Sequence, residues 1–207
     1  MRALIALVLT LITFIGFAQK KDTLTIIGVG DIMMGTSYPE NKLPPNDGDF
    51  LMRDVENVLK NADVTFGNLE GTLLDEGGTP KTCRDPKVCY VFRSPTRYVK
   101  NLVNAGFDII SLAKNHAGDF GDAGRKSSMK TLAEAGLLYA GQLNQKTTIF
   151  VKDSIRYGLV AFAPNSNCVP LNDLEGARAL VKELAAQVDV VIVSFHGGAE
   201  GAQYQHV

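Results

Sequence analysis

Four apolar, β-branched runs in this chain each end in side chains that can bind a metal. Leu24–Val29 leads to Asp31, Val64–Gly67 to Asn68 and Glu70, Phe107–Leu112 to Asn115 and His116, and Val190–Phe195 to His196. Runs of this length and branching read as buried strands. Open α/β sheets collect their sites at the carboxyl ends of the strands, so four such endings on neighbouring strands converge on one cluster. That arrangement argues for an α/β fold built around a polar site.

Between the strands lie helical signals. Asp49 starts a stretch with Leu51, Val55, Val58 and Leu59 at helical spacing. Ser94 followed by Pro95 predicts a capped helix start, with Leu102 and Val103 inward and Gly106 at its end. Further helices are expected over Ser127–Ala135, ending at Gly136, and from Asp173 with Ala177, Leu180, Val181 and Leu184 inward. A short strand Leu137–Ala140 follows the first of these. Thr148–Lys152 and Ile155–Phe162 flank Asp153-Ser154 as a β-hairpin, which adds an antiparallel element. Helices alternating with unbroken apolar strands predict a largely parallel sheet covered on both faces. An Asp stands at the head of three of the strands, at 63, 108 and 189, where a turn or cap explains it better than a ligand does.

The chain has 207 residues, 45% of them apolar and 21% charged, with a formal net charge of −1. It is long enough for one domain with a full core. Interleaved charges of both signs exclude the basic footprint of a nucleic-acid binder. The first eighteen residues differ from the rest. Arg2 is followed by the uncharged run Ala3–Ala18, with small residues at Gly16 and Ala18. This is the pattern of an export signal cut after Ala18. Retention as a membrane anchor is the alternative, although the run is shorter than the roughly 20 residues that span a bilayer. An exported chain meets oxidising conditions, where Cys83 and Cys89 can close a small ring in a polar loop. Cys168 is left over and reads as a buried small hydrophobe.

Carboxylates, asparagine carbonyls and imidazoles suit hard or borderline divalent cations such as manganese, iron or zinc. Asp31, Asn68, Glu70, Asn115, His116, His196 and Glu200 therefore suggest an open, hydrolytic type of metal site. Each residue alone has a plainer explanation. Asp31 alone reads as a turn or cap, His116 as a satisfied buried histidine, and Asn68 with Glu70 as partners of the following loop. Their joint occurrence at strand ends favours a site.

Four segments carry a family resemblance: Gly30-Asp31-Ile32-Met33-Met34-Gly35, Asn68-Leu69-Glu70-Gly71, Ser111 through Gly121 around Asn115-His116, and Ser194 through Glu200 around His196. Together, and in this order over Leu24–Val207, they resemble the CapA family of bacterial capsule and poly-γ-glutamate synthesis proteins, related to calcineurin-like metallophosphoesterases. The resemblance implies a four-layer metallo-dependent phosphatase-like α/β sandwich with a mixed sheet over residues 22–207. It implies Asp31, Glu70, Asn115 and His196 as metal ligands and His116 as the catalytic acid–base group. Asn68 and Glu200 are implied as further metal or substrate contacts. Its implied cofactor is a divalent metal ion, and its implied partners are an anionic capsule polymer and membrane-bound synthase components at the cell envelope. The wider superfamily opens with Asp-x-His, where this chain has Asp31-Ile32-Met33. The superfamily also closes its site with a late His-x-His motif that His206 does not reproduce, so the domain is expected to be incomplete at its C-terminus. Alternatives are a non-catalytic envelope protein that binds polymer or organises a synthase, and a generic metallophosphoesterase.

Overall fold

The alternation of Ile109 and Ile110 shows how the layers arise. Both are fully buried, but successive strand residues face opposite ways, so Ile110 packs among helices while Ile109 packs against a second sheet. The computed structural model describes residues 23–199 and 202–204; the expected signal at 1–18, Glu200 and His206 lie outside them. The first sheet is parallel throughout, in the order β1 (Ile26–Ile32), β2 (Val64–Leu69), β5 (Ile109–Ser111), β6 (Leu138–Ala140). One face carries α1 (Glu56–Lys60), α2 (Val99–Ala105) and α3 (Gly121–Glu134) over a core of Leu59, Leu102, Ile110 and Leu132.

The other face is closed by β7 (Thr147–Lys152), β8 (Ile155–Phe162) and β9 (Val190–Phe195), through Val64, Ile109, Tyr157 and Leu159. Helix α4 (Leu174–Ala185) lies outside this second sheet against Val160 and Phe162. The result is the four-layer order helix, sheet, sheet, helix. Residue-level patterning predicted one sheet with an antiparallel addition. The hairpin β7–β8 instead begins a separate mixed sheet, in which β9 then pairs parallel to β8. No helix stands between β6 and β8 to cover the first sheet's second face, so strands cover it. The hairpin turns at Asp153 and Ser154, with φ of 51° and 66°, as a two-residue turn between right-twisted strands requires.

Local expectations failed where tertiary contacts overrode spacing. Residues 49–55 wind through i→i−3 bonds, with the amide of Leu51 bonding Gly48, Arg53 bonding Phe50 and Val55 bonding Met52. That tighter period turns Val55 and Val58 outward, 46% and 60% exposed, and leaves only α1 helical. Val103 is likewise exposed beside the fully buried Leu102. Ser94 does not cap α2. It pairs in β4 (Arg93–Ser94) with β3 (Thr72–Leu73), and its hydroxyl donates to the Gly35 carbonyl. The Thr96 amide that such a cap would serve is bound by Asp75 at 2.9 Å, with the Thr96 hydroxyl at 2.6 Å, at the head of the 3-10 turn Thr96–Tyr98 that leads into α2. Gly106 does end α2 in the left-handed region, at φ 87°. Helix α3 starts six residues before the expected Ser127, at a Gly-containing turn that propensity disfavours. There Gly124 lies so close to Thr72 that a Cβ would meet its methyl at 2.9 Å.

The Cys83–Cys89 disulfide is formed, with Cα atoms 5.5 Å apart. Cys168 is buried and free, and burial pushes its thiol pKa up. Among the described residues no helix is long and apolar enough to cross a membrane.

Candidate functional site

Three of the four strand endings sit on adjacent strands of the first sheet, and the fourth reaches them from the second. Asp31 lies within β1, whose register with β2 shifts between Gly28 and Asp31 and then pairs Asp31 with Asn68. The Asn68 amide donates to Asp31 Oδ1 at 2.5 Å. Glu70 follows β2, its amide bound to the Ile32 carbonyl. His196 follows β9, where its amide continues the ladder to Phe162, and its Nδ1 stands 3.7 Å from Asp31 Oδ1. The two sheets are thus joined at the site by Asp31 and His196.

The loop after β5 supplies the centre. Leu112 and Ala113 are buried, held by the amide of Leu112 on the Ala140 carbonyl and by Gln142 on the Leu112 carbonyl. Gly141 makes this close approach possible, since a Cβ there would stand 2.7 Å from that of Ala113. Lys114, Asn115 and His116 follow. His116 is buried under the Phe92 ring, 4.4 Å between centroids, with Nε2 3.4 Å from Glu70 Oε1. Its Nδ1 is 2.7 Å from Asp119 Oδ2. Asp119 is fully buried and also accepts from the Phe92 amide at 2.6 Å and pairs with Lys81 at 2.6 Å. An imidazole held this way at Nδ1 presents Nε2 to the site.

Lys114 is the residue that strand-end reasoning missed. Its side chain is fully buried, and its ammonium contacts Glu70 and lies 3.5 Å from Asp31 Oδ1. Burial pushes the Lys114 pKa down to about 8, against the pull of Asp31. Burial also raises the Asp31 pKa, but the Asn68 hydrogen bond with the charges of Lys114 and His196 outweighs it and leaves that pKa lowered. Asp119 and Lys81 were missed as well. The available signals were a charged residue inside the apolar run before Asn115-His116, and a carboxylate three residues after His116.

The donor set suits a hard divalent cation. The Oδ1 atoms of Asn68 and Asn115 are buried without a hydrogen-bond partner, the kind of orphaned acceptor that a cation satisfies. As placed, no three His, Cys, Asp or Glu side chains among the described residues are grouped to hold an ion. Lys114 stands between the two carboxylates that would do so.

The four-layer sandwich is a fold that this chain shares with solved proteins. It superposes on a Mycoplasma pneumoniae protein described as a novel phosphatase, with a TM-score of 0.51 and 16% identity over 85% of this chain and 56% of that one. It superposes equally, at 17% identity, on a hypothetical protein of Thermus thermophilus, covering 85% and 59% of the two chains. The family model for the bacterial capsule synthesis protein PGA_cap matches residues 25–206, and the chain belongs to that family. The capsule biosynthesis protein CapA of Bacillus anthracis is 35% identical over 125 residues, 59% of this chain and 29% of that protein. The PGA biosynthesis protein CapA of Bacillus subtilis is 25% identical over 198 residues, 87% and 50% of the respective chains. The chain therefore spans half or less of the length of these relatives.

Proposed function

We propose that this protein makes or handles an anionic capsule polymer at the bacterial envelope, reached through its N-terminal apolar segment, and that the strand-end cluster is a metal-dependent hydrolase-type site. The observation that carries this reading is the buried Asp119–His116 pair, which directs Nε2 toward Glu70 beside Asp31 and His196. Asp31, Glu70, Asn115 and His196 would hold the cation, with the Asn68 carbonyl beside them. Bound there, manganese, iron or zinc would lower the pKa of water and polarise an ester or phosphoryl oxygen. His116 gives or takes the proton at Nε2 while Asp119 keeps Nδ1 occupied. Phe92 shields that imidazole from solvent.

Lys114 supports a second reading, in which the same pocket binds polymer or organises a membrane synthase without turnover, because its ammonium stands between the two carboxylates that would hold a cation. His116→Ala separates the two. Under the hydrolase reading the variant folds, retains the metal and stops capsule formation. Unchanged capsule formation in that variant counts against catalysis and for the binding role. Cleavage of a generic phosphate ester with manganese present would instead mark an ordinary phosphoesterase.

A further inference from the structure

Asp31 and Glu70 bring two negative charges to the site, and the ammonium of Lys114 brings one positive charge against them. That ammonium makes no well-formed hydrogen bond of its own, and the amide oxygens of Asn68 and Asn115 remain buried with no donor. The cluster is therefore short of positive charge and has unused acceptors. Both deficits are what a divalent ion would remove. Such an ion cannot share the space with Lys114, since an ammonium in contact with Glu70 and 3.5 Å from Asp31 would sit at van der Waals distance from it and repel it in a poorly solvated pocket.

We infer that Lys114 is an internal counter-ion seated in the cation's place between Asp31 and Glu70, so that a divalent cation binds only by displacing its ammonium. This rests on the metal-dependent reading of the site. The long aliphatic stem lets the ammonium leave without moving the backbone, which Leu112 and Ala113 anchor. Without a cation, Lys114 offsets part of the carboxylates' charge and keeps the strand ends together. With one, the lysine head is free to meet an anionic substrate at the mouth of the site.

The test is equilibrium Mn²⁺ binding to the full chain and to Lys114→Met, with free Mn²⁺ read by electron paramagnetic resonance. The variant is expected to bind at least about tenfold more tightly, as removal of a buried like charge implies. Adding Asp31→Asn to it should reverse the gain. Equal or weaker binding by Lys114→Met overturns the displacement and leaves the metal reading standing; no binding by either protein overturns both. A second measurement needs no variant. Lys114 of the wild-type protein should resist amine acylation without Mn²⁺ and become modified at saturating Mn²⁺, as read by mass spectrometry. Continued protection at saturation overturns the inference.

Discussion

Asp119 holds His116 Nδ1 at 2.7 Å from within the same turn, three residues on, and is itself held by Lys81 and the Phe92 amide. A buried carboxylate with this many partners fixes both the tilt of the imidazole and the nitrogen that carries its proton. The Lys81 ammonium lies 3.3 Å from the same Nδ1, so ammonium and imidazole share the Asp119 carboxylate.

Asp119→Asn should therefore release the tautomer. In ¹⁵N spectra of labelled histidine, the wild-type His116 should show a proton fixed on Nδ1, and the variant a mixture of tautomers. Loss of the buried charge opposite Lys81 should also cost about 2 kcal/mol or more of stability. An unchanged histidine spectrum in a folded variant would show that Asp119 does not orient the ring.

Lys81 belongs to the excursion between β3 and β4 that the Cys83–Cys89 bridge closes, and its amide is bound to the Asp119 carbonyl. The bridge thus borders the segment that supports His116. Replacing both cysteines by serine should lower stability by about 2 kcal/mol, the loop-entropy contribution of so short a ring. Denaturant midpoints of oxidised protein and of the double variant measure this, and coincident midpoints would contradict it.

Asp63, Asp108 and Asp189 each precede a strand, and all three make the same contact. In each, the carboxylate accepts, at 2.8 Å, from the amide of Thr25, Thr65 or Arg156 on the neighbouring strand, while the aspartate's own amide donates back to that residue's carbonyl. Their structural role was legible because Asp is a strong local hydrogen-bonding residue at chain turns. That they clamp adjacent strands was not, since the partner lies 33 to 43 residues away. Strand positions were equally legible from β-branched runs. The convergence of Asp31, Glu70, His116 and His196 was legible as strand ends, but Lys114 and Asp119 make contacts that exist only once β1, β2 and the loop after β5 meet. Val55, Val58 and Val103 misled for a related reason: helical spacing says which residues share a face only if the segment is an α-helix and that face has a partner.

Asp108 is the most buried case with a second partner, since Lys152 of β7 reaches its Oδ1 and ties the second sheet to the first. Asp108→Ala removes the acceptor for the Thr65 amide and the ion pair together. It should cost about 1–3 kcal/mol, the penalty for orphaning a shielded donor. Asp63→Ala, whose bond to Thr25 is exposed, should cost less than about 1 kcal/mol. Urea unfolding of both variants checks the order, and equal losses would show that burial of the clamp does not set its strength.

Asp75 gives a pH-dependent test of the cap that replaced the expected Ser94. Its pKa is lowered by the hydrogen bonds from the Thr96 hydroxyl and amide, which favour the ionised carboxylate. A carboxyl whose folded pKa lies below its unfolded value adds stability above the ordinary carboxylate range, and that contribution disappears as pH falls through the folded value. Near neutral pH, Asp75→Ala should therefore be less stable than the wild type by about 1 kcal/mol, as for other lost caps. As pH falls through that lowered value the wild-type carboxylate is itself protonated and the gap should narrow. Urea midpoints of the two proteins across that range measure it. A gap that stays constant on acidification would assign the cap to the neutral side chain, and no gap near neutrality would show that the 3-10 turn at Thr96–Tyr98 forms without Asp75.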